Sequence, residues 1–224
     1  MAYYPLFIDA GRIDALVVGC GSVGKRKAQS LCACGVRSLV VVDPHLSEPS
    51  IDELAALGPV RCKTADFEPE DLQDRNLVYA ASSSREVNSH VTRLCNELGI
   101  LCNSADAPRE GSFLVPAHFS SGDITVAFST GGQSPALARV LREEVENLVG
   151  TRYAVLLQFL GVLRPVLLEQ GFPSERNAEI FRAIARSRLP EMLEHNDLEG
   201  AVNLLRGLTP EVLHPQLREL LYGS

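Results

Sequence analysis

The chain has no excess of basic residues, no long apolar run and no paired-cysteine motif, and each absence removes a class of function. Lys and Arg number 21 against 28 Asp and Glu, a net charge of −7. General nucleic-acid or anionic-membrane binding needs a basic surface, so neither partner is expected. No apolar run approaches the roughly 20 residues that cross a bilayer. The opening MAYYPLFIDAGR lacks a basic stretch followed by an apolar one, so no signal peptide and a cytoplasmic location are expected. Cys20, Cys32, Cys34, Cys62, Cys95 and Cys102 include no CxxC pair, and His45, His90, His118, His195 and His214 are scattered. No metal site is therefore expected, and the cysteines read as small hydrophobes of a reducing compartment. What remains is an ordinary globular composition, 46% hydrophobic and 22% charged over 224 residues, with room for one or two domains.

Glycine is present where it carries chemistry. Val17-Val18 runs into Gly19-Cys20-Gly21-Ser22-Val23-Gly24, and Asp43 ends the next apolar run, 19 residues beyond Gly24. Gly19 permits the tight turn out of a strand, Gly21 lets backbone approach a pyrophosphate, and Gly24 lets the helix pack close to the strand. The helix N-terminus adds unpaired N–H groups and a partial positive charge. Asp43 can accept hydrogen bonds from an adenine-ribose diol, which favours NAD over NADP. A glycine-rich turn also occurs without a ligand; the preceding strand, the following helix and the acid separate the two readings. The expected cofactor residues are Gly19, Gly21, Ser22, Val23, Gly24, Asp43, Pro44 and Ser82.

Apolar runs at Ala15–Val18, Leu39–Val42, Val60–Lys63, Leu77–Ala80 and Ile100–Asn103 alternate with helical patterns at about Ser22–Cys34, Ile51–Leu57 and Arg85–Leu98, the last stopped by Gly99. Repeated strand–helix–strand units require right-handed crossovers and a parallel sheet, a Rossmann-type α/β domain over residues 1–112. Phe113–Phe119 and Ile124–Ser129 read as strands about a turn at Ser120–Asp123, followed by a helix capped by Ser134 with Pro135 in its first position. Leu137, Val140, Leu141, Val145 and Leu148 share one face of that helix. Two strands and a helix are too little to fold alone, so residues 113–150 read as a small α+β dimerisation segment. Residues 151–224 read as a helical domain, with Ser174 capping one helix and Thr209-Pro210 opening the last.

A second constellation comprises Asn103, Asp106, Pro108, Arg109, His118, Thr130, Gly131, Gly132, Ser134, Arg139 and Arg142. Asp106 follows the last parallel strand at its carboxyl end, the edge where open α/β sheets bind ligands. Gly131-Gly132 before a capped helix is a second potential anion site, with Arg139 and Arg142 on its polar face. The plainer readings are that Asp106 stabilises its own turn and that the arginines form a solvated face with Glu143 and Glu146.

Taken in order, VVGCGSVGKRKA, CNSADAPREGSFLVPA and FSTGGQSPALARVLRE resemble the precorrin-2 dehydrogenase module of siroheme synthases. The resemblance covers about residues 1–150, including Tyr4-Pro5-Leu6-Phe7. It implies NAD-dependent oxidation of precorrin-2 to sirohydrochlorin by a homodimer, with the family's important aspartate at Asp106. Asn103, Arg109, Thr130, Gly131, Gly132, Ser134, Arg139 and Arg142 become the expected substrate contacts, the arginines facing the substrate's many carboxylates. Three departures stand out: Thr130 replaces a serine phosphorylated in some members, Gly24 replaces a common alanine, and Ser104-Ala105 replaces an apolar pair. Metal insertion, known in yeast members, is left open. The rival readings are an NAD-dependent dehydrogenase of a small substrate and a non-enzymatic NAD(H)-sensing regulator.

Overall fold

The structure is a computed structural model and describes residues 3–222. The chain forms two compact units, one running from Tyr3 to Val115 and the other from Pro116 onward.

In the first unit β1 (Asp14–Val18), β2 (Ser38–Val42), β3 (Val60–Lys63), β4 (Leu77–Ala80) and β5 (Leu101–Ser104) form a parallel sheet in the order β3-β2-β1-β4-β5. Side chains alternate across a strand, so β1 feeds two cores at once. Ala15 and Val17 join Leu39, Val41 and Tyr79 beneath Ala28 of α1 (Ser22–Ala33) and Leu54 of α2 (Glu48–Ala55). Leu16 and Val18 join Val78 and Ala80 against Val91 and Cys95 of α3 (Arg85–Leu98). Burial on both faces is why these strands read as continuous apolar runs. Ser84 caps α3 through the Val87 N–H at 3.4 Å, and Gly99, at φ 71°, ends it as expected. Helix α2 starts earlier than its apolar periodicity suggests, because Pro49 fits the first turn, where a missing N–H costs nothing.

In the second unit β6 (Ala117–Ser121) pairs antiparallel with β7 (Ile124–Phe128). The first strand begins four residues later than the sequence suggests. Phe113 and Val115 instead pack into the first unit's core, Phe113 standing edge-on to Tyr79 at 5.6 Å. The turn narrows to Gly122-Asp123, since Ser120 stays in the ladder with its hydroxyl 3.0 Å from that of Thr125. Ile124, Val126 and Phe128 face the more buried side of β7, as their alternation predicts. Ser134 caps α4 (Pro135–Val149) by accepting from the Leu137 N–H at 3.2 Å.

The helices α5 (Arg152–Glu169), α6 (Ser174–Ala185), α7 (Leu189–Glu194), α8 (Leu198–Leu208) and α9 (Leu217–Tyr222) enclose a core of Phe159, Leu163, Leu167, Ile184, Leu205 and Leu217. Two helix starts differ from expectation. Ser174 is the first residue of α6 and makes no cap; extended Pro173 precedes it. Thr209-Pro210 opens a 3-10 turn, because the Thr209 hydroxyl donates back to the Leu205 carbonyl at 2.7 Å and closes α8. Among the described residues no single helix is long and apolar enough to cross a membrane; α4 and α5 reach that length and apolarity together, across a 58° bend.

Candidate active site

The carboxyl ends of β1, β2 and β4 open into a cavity of about 930 Å³. Of the expected cofactor residues, Gly19, Gly21, Ser22, Val23, Asp43, Pro44 and Ser82 line it. Gly24 does not, and its geometry explains why it is glycine. A Cβ there would run into the Gly19 carbonyl oxygen, so its absence sets how closely α1 approaches β1. Gly19 adopts φ 97°, and a Cβ on it would meet the Ala81–Ser82 peptide. Gly21 is different: apart from its own chain neighbours, no protein atom lies within 4 Å of the place a Cβ would take. That space is where a pyrophosphate needs the backbone bare. No side chain among the described residues caps α1, whose cap residue is Gly21, so its first N–H groups point outward unclaimed by a cap. These features fit a dinucleotide.

Asp43 does more than its spacing suggests. Its Oδ2 accepts from the Cys20 N–H at 2.6 Å and its Oδ1 from the His45 N–H at 2.8 Å. One carboxylate therefore pins the glycine turn to the end of β2, and each oxygen keeps a lone pair for a ribose hydroxyl. Burial pushes the Cys20 thiol up, so it sits in the cleft as a neutral group. The cavity wall also includes Asp66, Phe67 and His90, which sequence reasoning missed. Phe67 and His90 meet edge to face at 6.1 Å. They come from a loop and a helix, and no spacing links them to the glycine motif.

Asp106 follows β5 with its side chain 34% exposed. Its Oδ1 accepts from Asn88 Nδ2 and from Ser104 Oγ, each at 3.0 Å. Its Oδ2 lies 3.4 Å from Arg85, whose guanidinium is closer to Glu110 at 2.7 Å. Asn88, 1% exposed, also brackets the Ser82 peptide, accepting from its N–H at 2.9 Å and donating to its carbonyl at 3.0 Å. The cleft loop and Asp106 are thus joined through one buried amide. Arg109 is exposed in the turn after Asp106. Asn103 is buried and donates to the Phe113 carbonyl at 3.0 Å, a bond that anchors the chain leaving β5.

The remaining expected contacts belong to the second unit. The Thr130 hydroxyl accepts from the Ser134 N–H at 3.2 Å and donates to the Ser134 carbonyl at 3.1 Å. The Gly131 N–H goes to Ser129 Oγ at 3.1 Å, and the Gln133 N–H to the Thr130 carbonyl at 3.1 Å. Gly131 and Gly132 supply the positive φ of this turn, 63° and 80°. Arg139 pairs with Glu143 at 2.9 Å and Arg142 with Glu146 at 2.7 Å. Arg139, and then Arg142, hold the Glu143 carboxyl below its usual range. The glutamates that the plainer reading named do stand beside both arginines. His118 Nδ1 lies 3.1 Å from the Pro116 carbonyl oxygen. Among the described residues no group of His, Cys, Asp or Glu is placed to hold a metal ion.

A parallel sheet with helices on both faces and a bare glycine turn at its carboxyl edge defines a dinucleotide-binding protein of the Rossmann class. The chain belongs to the family described as putative NAD(P)-binding, whose model matches residues 6–117, and the resemblance to the precorrin-2 dehydrogenase module of siroheme synthases stands. A second model, described as sirohaem biosynthesis protein central, matches residues 122–148. Siroheme synthase 1 of Aeromonas salmonicida is 35% identical over 226 residues, covering 100% of this chain and 48% of that protein. Siroheme synthase of Nitrosomonas europaea is 36% identical over 182 residues, covering 81% of this chain and 38% of its own. The chain therefore spans about half or less of the length of these relatives. A solved structure titled SirC, precorrin-2 dehydrogenase, shares the fold with a TM-score of 0.72 at 24% identity, covering 99% of this chain and 100% of that one.

Proposed function

We propose that this chain oxidises precorrin-2 to sirohydrochlorin with NAD, as a cytoplasmic homodimer. The observation that carries the reading is the link between the two halves of the chemistry. Ser82 lines the dinucleotide cleft, and Asn88 touches both the Ser82 peptide and Asp106. The relatives' names supply the substrate, siroheme synthase and precorrin-2 dehydrogenase. The oxidation removes a hydride and a proton from the macrocycle. NAD, when bound, supplies the hydride acceptor. Asp106 takes the proton, a role worth about 10²–10⁴ in rate when the base is well placed. Gly19 and Gly21 admit the pyrophosphate, and Asp43 holds the ribose.

Arg109, Arg139 and Arg142 face the substrate's carboxylates, the last two by exchanging Glu143 and Glu146 for them. Helix pairs of this kind at or near the surface, the Arg142 side chain being half-buried and that of Arg139 exposed, are weak and are readily displaced. The dimer reading is supported by α4, where Leu137, Val140 and Leu148 stand exposed along one face. Purified protein given NAD and precorrin-2 should form sirohydrochlorin and NADH one for one. Formation at the protein-free rate would refute the assignment.

A further inference from the structure

We propose that Asn88 is a positioning residue that reserves Oδ1 of Asp106 for the scaffold and leaves Oδ2 as the oxygen that takes the substrate proton. The inference rests on the reading of Asp106 as the base. Asn88 sits inside α3, where asparagine is a mediocre helix former and a buried amide is costly unless every polar atom is paired. Here each is paired. Oδ1 accepts from the Ser82 N–H, and Nδ2 donates one proton to the Ser82 carbonyl and the other to Asp106 Oδ1. A residue that served the β4–α3 turn alone would need the first two bonds and not the third.

Ser104, the last residue of β5, donates to the same Oδ1. That oxygen then carries two neutral donors, each held on regular secondary structure, and a proton could join it only by displacing one of them. Oδ2 faces outward, toward a guanidinium that is 61% exposed, at a long 3.4 Å, and already committed to Glu110. Arg85, with Glu110 behind it, supplies the charged groups near this carboxylate. The two oxygens therefore divide the work: one fixes the carboxylate against the cofactor loop, the other stays available. Ser104 also gives meaning to the serine this chain carries in the pair before the aspartate, since an apolar residue there could not donate.

The test compares pH profiles of kcat for wild type, Ser104→Ala, Asn88→Ala and Asn88→Asp, with NADH binding measured in each as the check on folding. A base must be ionised, so the rate falls on the acid side, and each lost donor to the ionised form moves that limb to higher pH. Ser104→Ala should move it by about half a unit, and Asn88→Asp, which sets a second carboxylate against Oδ1, by about one unit or more. Asn88→Ala should also lower kcat about tenfold as orientation is lost. A purely structural amide would weaken NADH binding and thermal stability without moving the limb. An unmoved limb in Ser104→Ala and Asn88→Asp, alongside an inactive Asp106→Asn, would overturn the positioning role while sparing the base. Full activity in Asp106→Asn would remove the base, and this inference with it. If Asn88→Ala does not fold, the other two variants decide.

Discussion

Two glycine-rich turns lead into helices in this protein, and they differ in what they leave unpaired. The turn into α1 ends on Gly21, which has no side chain to offer, so the helix N-terminus faces the cleft uncapped. The turn into α4 contains Gly131 and Gly132, yet Ser134 caps the helix and the Thr130 hydroxyl claims the Ser134 N–H. Both turns look like anion cradles when read as strings of residues. The difference lies in three hydroxyl groups, those of Ser129, Thr130 and Ser134, each of which takes an N–H of the second turn. A glycine turn offers its N–H groups to a ligand only where neighbouring side chains have not already taken them. The first turn thus leaves its helix N–H groups open to an anion such as a pyrophosphate, and the second spends its own on starting α4.

The largest effect expected from this division is on chemistry in the first unit. Asp106→Asn keeps the shape and should cost about 10² or more in turnover while NAD still binds. Single-turnover rates beside an NADH titration check this, and a matching loss of NADH binding would merge two roles held separate here. Next comes Asp43. Its replacement by Ala removes the ribose acceptor and frees the Cys20 N–H, so NAD affinity should fall about tenfold, the size of one hydrogen bond to a charged group. Preference over NADP should narrow as well, because the like charge facing a 2′-phosphate is gone; equal wild-type efficiency with both cofactors would sink the assignment.

Smaller effects are expected in the second unit. Arg139→Ala or Arg142→Ala should raise KM for precorrin-2 several-fold, about 1 kcal/mol each, with NAD affinity unchanged. A parallel loss of NAD affinity would place α4 in the cofactor site. Ser134→Ala, read by chemical denaturation, should cost about 1 kcal/mol of stability through the lost cap, again with NAD untouched. If instead it created a new anion-binding site, the capped turn would be a cradle held shut by one hydroxyl.

Local rules made much of this legible. The strand runs, the glycine turn, the cap at Ser134 and the stop at Gly99 all depend on residues a few positions apart, which a sequence displays side by side. The parts that were missed depend on distance. Asn88 lies 18 residues before Asp106, inside an amphipathic helix where a single polar residue leaves the periodicity intact. Phe67 and His90 meet across the cleft wall for the same reason, through packing of a loop on α3. Phe113 looked like a strand residue because its neighbours are apolar, whereas its ring is spent on Tyr79. Helix starts failed where a hydroxyl had a second option, as at Thr209, whose side chain closes the preceding helix.

The central claim, that the uncapped turn into α1 is the cofactor cradle, is tested most directly at Gly21. Its φ is −68°, and the place a Cβ would occupy is clear of protein, so Gly21→Ala and Gly21→Val should fold normally. A bound pyrophosphate would fill that space. Calorimetric titration with NADH should therefore show wild-type binding, a loss of about tenfold or more in Gly21→Ala and no detectable binding in Gly21→Val, each variant melting like the wild type. Undiminished NADH affinity in a folded Gly21→Val protein would contradict the account.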